Sequence, residues 1–148
     1  MAQENLNIEL GIYGEYTTER PVVSIYLDDK LLERFTFQEL SKKTITKKFN
    51  VSVDVLQQHE LSIEFLNRPD NGTVRHMHTK QILSVMQVVV NKMLINGVNC
   101  LAFAGENLVY YPQDPNKPFI RGITYISKPG VLRYTFNSPF FFWALQNI

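Results

Sequence analysis

One cysteine, three histidines, no long apolar run and no surplus of either charge bound what this chain can be. Cys100 is alone, so no intrachain disulfide can form and the fold must rest on its own core. At 148 residues there is enough chain to bury one without metals or cross-links. No window approaches the ~18 consecutive apolar residues of a membrane span, so no membrane partner is expected. Fifteen Lys and Arg against fourteen Asp and Glu leave a net charge of +1. General polyanion binding needs concentrated positive charge, so no nucleic-acid partner is expected. The seven glycines are scattered at turns and spell no phosphate-binding loop. The opening MAQENLNIEL is polar and alternating, without the basic start and apolar core of a secretory signal. Synthesis in the cytoplasm is expected, with exit only by lysis or within a larger particle.

What the chain does have is alternation. Leu6, Ile8, Leu10 and Ile12 alternate with polar residues or glycine, as on a strand with one buried face. Gly14 to Arg20 reads as a loop. Val23, Ile25 and Leu27 form the inward set of a second strand, and Asp28-Asp29-Lys30 turns it into a hairpin with Leu31 to Phe37. Ile45, Phe49, Val51 and Val53 share one parity, and Lys47 on that parity marks an edge strand guarded by an inward charge. Leu61, Ile63 and Phe65 alternate with Glu60, Ser62 and Glu64. Val88 to Ile95 is apolar nearly throughout and stops at Asn96-Gly97, which predicts a central strand covered on both faces. Leu101 to Ala104, Leu108 to Tyr111 and Ile123 to Ile126 are further strand candidates, and Leu132, Tyr134 and Phe136 alternate in the last. Pro112 to Gly122 carries three prolines and ends on a glycine, and it belongs on the surface. The expectation is an all-β, antiparallel β-sandwich of the jelly-roll kind, with about 8–10 short strands. Residues 1–148 read as one domain, with 138–148 as an aromatic C-terminal tail.

Chemistry is sparsely written. His76 and His78 share a strand parity and could share a metal, with Asp70 or His59 as a third ligand; solvated loop residues read the same way. Cys100 sits among apolar neighbours, as buried free cysteines do. Glu60 and Glu64 fall on one strand face about 13 Å apart, too far for acid–base glycoside cleavage. Lys42, Lys43, Lys47 and Lys48 form a basic run that suits a solvated edge strand. With no triad, metal set or close acid pair legible, no catalytic residues are assigned and an enzyme is not expected. Two features stand out. Asn67, Asp70 and Asn71 offer oxygen ligands of the kind calcium takes, although Asp-Asn-Gly is equally good turn chemistry. Phe140, Phe141, Phe142 and Trp143 are consecutive and cannot all face one core, so some must form a lid and others an interface.

The pattern HELSIEFLN, an Asp-Asn loop and VVVNKMLINGV together resemble calcium-dependent carbohydrate-binding modules of the xylan-binding type. That resemblance implies a jelly-roll sandwich in which Asn67, Asp70 and Asn71 hold calcium and, through it, sugar hydroxyls. The family's acidic residue before the second strand has no counterpart in HMHTKQILSV, so no cofactor is assigned and calcium is the alternative. The ending YISKPGVLRYTFNSPFFFWALQNI is similar to small single-domain virion proteins of tailed bacteriophages. This second resemblance implies a head-decoration or tail-associated component located in the virion. The leading expectation is therefore a non-enzymatic structural protein of a phage particle, partnered by other virion proteins or by copies of itself. It would dock through Phe140, Phe141, Phe142 and Trp143, with the Pro112 to Gly122 loop beside them. The alternative is a carbohydrate-binding module for a polysaccharide or host-surface glycan. It would use Tyr110, Tyr111 or Tyr125 as a platform and Asn67 to Asn71 as the polar loop.

Overall fold

A computed structural model of the protein describes residues 2–17, 19–66, 74–75, 82–84, 86–102 and 105–147, with the backbone alone for 74–75, 82–84 and 105. Alternating apolar residues produce strands β1 (Gln3–Tyr16), β2 (Val22–Leu27), β3 (Lys30–Thr36), β4 (Ile45–Asp54) and β5 (Gln58–Phe65). Short strands β6 (Val74–Arg75) and β7 (Ile82–Ser84) pair with each other. Next come β8 (Met86–Ile95), β9 (Val98–Asn99), β10 (Leu108–Pro112), β11 (Ile120–Arg121), β12 (Tyr125–Ile126) and β13 (Gly130–Asn137). Helix α1 (Phe140–Gln146) ends the described chain. No helix among the described residues is long and apolar enough to cross a membrane.

Two antiparallel sheets result, and the expected all-β sandwich is what the structure shows. One has the order β12-β8-β1-β4, with β9 folded back on β8; the other runs β11-β10-β13-β5-β2-β3. Leu6, Ile8, Leu10 and Ile12 of β1 join Val23, Ile25, Leu61, Ile63, Leu132, Tyr134 and Phe136 in one buried core. The outward residues of the second sheet are the polar partners of the same alternation, among them Glu60, Glu64 and Arg133. Strand β4 is an edge, as its inward lysine predicts. Lys47 reaches between the sheets to Glu33 on β3 at 2.6 Å and lies 4.5 Å from the centre of the Phe35 ring.

Three expectations need correction. Gly14 to Tyr16 belong to β1 and pair with Val88 to Met86 rather than forming a loop. Gly14 is there for close packing: a Cβ would stand 3.2 Å from the Phe37 ring and from Pro21. Strand β8 is central but is not covered on both faces. The register of β1 against β8 slips between Gly11 and Ile12, so Asn91 is bulged. The inward set is therefore Met86, Val88 and Val90, then Met93 and Ile95. This change of parity, and not burial of both faces, makes the run look continuously apolar. Finally, Leu101 and Ala102 form a turn, closed where Asn99 Oδ1 accepts from the Leu101 N–H at 3.1 Å. Phe103 and Ala104 lie outside the described residues.

Candidate functional site

The proline-rich segment after β10 builds one wall of an open cleft. Tyr110 points inward from β10, and its hydroxyl donates to the carbonyls of Lys128 at 2.9 Å and Pro129 at 3.2 Å. Burial pushes the Tyr110 hydroxyl above its ordinary pKa, so it remains a donor. The Pro129 carbonyl also accepts from the Gln113 N–H at 3.0 Å, tying the loop to the turn opposite. Gly130 is required here, because a Cβ would lie 2.6 Å from the Tyr110 ring and from the Tyr111 carbonyl. At the loop tip Asp114 Oδ1 accepts from the Asn116 N–H at 2.9 Å, an Asx turn that sets the bend.

Between loop and turn lies an open cleft of about 650 Å³. Tyr110, Ile120 and prolines 112, 118 and 129 supply its apolar surface, and Gln113, Asp114, Lys117, Ser127 and Lys128 its polar rim. Pro112 and Gln113 also wall a smaller hollow of about 230 Å³, which holds Tyr111, Glu64 and Arg133 on the outer face of the second sheet. Tyr111 and Phe119 are half-exposed there, with ring centres 6.1 Å apart. A guanidinium flanks each ring: Arg133 is 5.3 Å from Tyr111 and Arg121 is 5.2 Å from Phe119. The result is a row, Arg133–Tyr111–Phe119–Arg121, beside a cleft with an apolar floor and a polar rim. The sequence offered the Pro112 to Gly122 loop as a whole but singled out neither Phe119 nor Arg121 within it, nor Arg133. Only the pairing of β11 and β13 on either side of β10 brings them together.

The other sequence candidates fall elsewhere. Tyr110 is largely buried and reaches the cleft only as part of its floor; Tyr125 is exposed but sits on β12, in the other sheet. Asn67, Asp70, Asn71, His76 and His78 lie outside the described residues. His59 is buried and is no metal ligand, since its Nδ1 meets Asp28 Oδ2 at 2.9 Å and its Nε2 meets the Asp54 carbonyl at 2.8 Å. Among the described residues no group of three or more His, Cys, Asp or Glu is arranged to hold a metal.

The aromatic tail divides in two. Phe140 and Trp143 are buried against Tyr134 and Phe136, a lid on one end of the core. Phe141, Phe142 and Leu145 point to solvent, at 53%, 69% and 69% exposure. Leu56, 86% exposed, shares a hollow of about 340 Å³ with Phe142. Phe140 and Trp143 are thus part of the core, with Trp143 also lining that hollow. The 112–122 loop is not beside the tail either. Pro112 pairs with Gly130 at one end of β13, whereas α1 follows Asn137 at the other.

No family model matches the chain, and no curated protein does. Two solved structures of the module vCBM60 are similar to it. One, in complex with galactobiose, has a TM-score of 0.49 and 15% identity over 86% of this chain and 96% of that one. The other is a selenomethionine form, described with a circular permutation linking two families of calcium-dependent carbohydrate-binding modules. It has a TM-score of 0.47 and 14% identity over 87% of this chain and 89% of that one.

Proposed function

We propose that the protein is a non-catalytic glycan-binding β-sandwich and that the cleft beside Tyr111 and Phe119 is its site. The observation that carries this reading is a concave apolar floor joined to a polar rim and exposed rings. Pyranose rings present both C–H faces and hydroxyls, so they need apolar contact and convergent hydrogen-bonding groups together. Here Tyr110, Ile120 and the prolines supply the first, and Gln113, Asp114 and Ser127 the second. The loop and its anchoring turn are held by main-chain hydrogen bonds, which limits the ordering cost on binding.

Native affinity electrophoresis through gels containing individual polysaccharides tests the reading. The wild-type chain is expected to be retarded by at least one polymer, and Tyr111→Ala to lose about tenfold or more in affinity while keeping its circular dichroism spectrum. Retardation by none would sink the proposal. A chelator arm decides the place of calcium: loss of binding in EDTA would assign Asn67, Asp70 and Asn71 a role, and indifference would leave recognition to the cleft.

A second reading is favoured by the exposed apolar face of α1 with Leu56. In it the protein associates with other proteins, as an accessory component of a phage particle found in the virion. Phe141 and Phe142 are then the anchors. Light scattering on a size-exclusion column separates the readings, because assembly through this face gives a stable oligomer or stoichiometric complex that Phe141→Asp abolishes.

A further inference from the structure

Cations on this molecule differ in how they are matched, and Arg34 on β3 donates to the Ser24 and Tyr26 hydroxyls and to no carboxylate. Around the first sheet and its edge cations are matched by carboxylates: Lys42 to Glu15 at 3.4 Å, Lys43 to Glu39 at 3.0 Å, Lys47 to Glu33 at 2.6 Å and Lys48 to Glu9 at 3.5 Å. Lys92 also pairs with Glu9, and its hydrogen bond holds that carboxyl below its usual pKa. Around the cleft the matching stops. Lys117, Lys128 and Arg133 meet no carboxylate within ion-pair distance among the described residues, and Arg121 donates only to the Glu106 carbonyl at 3.2 Å. The overall charge of +1 conceals this local imbalance.

How the arginines are held matters as much as their charge. Each guanidinium sits over an aromatic ring. A cation–π contact at this distance takes up no N–H group, so Arg133 keeps its fork for two parallel hydrogen bonds to a carboxylate, while Arg121 has already spent one N–H on the Glu106 carbonyl. Three acidic residues stand near these four cations: Asp114 accepts within its Asx turn, Glu64 accepts from the Tyr26 hydroxyl at 3.5 Å, and exposed Glu106 meets Arg121 through its main-chain carbonyl and not its carboxylate. We infer that the glycan taken here is an acidic polysaccharide whose repeating units carry carboxylates, read by Arg133 and Arg121 with Lys117 and Lys128 adding charge at the cleft. This rests on the glycan-binding reading of the same site.

Titration calorimetry with polygalacturonate, the same polymer fully methyl-esterified, and a sulfated galactan tests it. The acid form is expected to bind about tenfold or more tightly than the ester, with the difference shrinking in high salt. An Arg121→Met, Arg133→Met double variant is expected to bind both at the ester's level while keeping its spectrum and melting temperature. Arg133→Lys, which keeps charge but loses the fork, should fall between. Equal affinity for acid and ester, unmoved by the double variant, would overturn the inference and leave a neutral-glycan site standing. Tighter binding of the sulfated polymer than of polygalacturonate would overturn carboxylate selection. Binding of none would overturn the inference and the function beneath it together.

Discussion

His59 shows how much one side chain can be asked to hold. Its two ring nitrogens meet acceptors on separate elements, Asp28 of the β2–β3 turn and the Asp54 carbonyl at the end of β4. Asp28 also accepts from the Glu60 N–H at 2.9 Å, so the residue knits turn, edge strand and β5 together. Replacement by Ala empties a buried site and removes both hydrogen bonds, and His59→Ala is expected to cost about 2 kcal/mol, measured as a lower urea midpoint with unchanged slope. Cys100 makes the opposite case. Burial pushes its thiol up to about 11, partly offset by the Tyr134 hydroxyl. That hydroxyl is the buried side-chain polar atom without a hydrogen bond of ordinary geometry among the described residues. A raised thiol pKa keeps the protonated form dominant at neutral pH, so little nucleophilic thiolate exists. Cys100 is expected to resist iodoacetamide at pH 8 in the folded protein and to react fully in denaturant, read by mass spectrometry. The inertness of Cys100 was legible from its apolar neighbours. The role of His59 was present in the parity it shares with Leu61 and Ile63, but a histidine invites a metal before it suggests a buried strut.

At the scale of elements, α1 is a short helix attached at both ends of its logic. Its inward residues Phe140, Trp143 and Ala144 follow helical spacing, and Pro139 offers no side-chain cap. The cap comes from another strand: Glu4 of β1 accepts from the Phe140 N–H at 3.0 Å and from the Ser138 hydroxyl at 2.7 Å. Glu4→Ala is expected to cost about 1 kcal/mol and to make Trp143 more accessible to iodide quenching. Within the helix, Phe140→Ala is expected to cost about 3–5 kcal/mol. Phe141→Asp, on the solvent side, should stay within about 0.5 kcal/mol of the parent. Thermal melts of the three variants check this division. Consecutive aromatics told us that the tail must split, but not which members turn inward, since that depends on where β13 delivers Pro139. The bulge at Asn91 was illegible for a related reason. A parity change inside one strand mimics a strand buried on both faces, and only the partner's register tells them apart.

The whole molecule treats its two long sides differently. On one side the free edges β3 and β4 are joined by Lys47 and Glu33, a charge placed where an extra strand would otherwise add. Lys47→Val is expected to leave the monomer's core intact yet increase aggregation, seen as light scattering at raised temperature. This much the lysine's parity announced. On the other side β11 and β12 are two residues each, and the chain passes between them through residues 122–124 to link the sheets. The sequence marked β12, within Ile123 to Ile126, but not β11, because a two-residue ladder inside a proline-rich loop carries too short a period to read.

That second side gives the cleft a thermodynamic character of its own. The loop that forms its wall runs directly into β11, whose hold on β10 is two residue pairs and the hydrogen bond from the Gly122 N–H to the Leu108 carbonyl at 2.8 Å. Fraying of this margin and release of ligand are therefore linked equilibria. A ligand that spans the loop and Arg121 binds only the closed margin, so its binding energy is also clamping energy. Amide exchange at Ile120, Arg121 and Gly122 should be among the fastest in the sandwich when the protein is free, and should slow in proportion to occupancy.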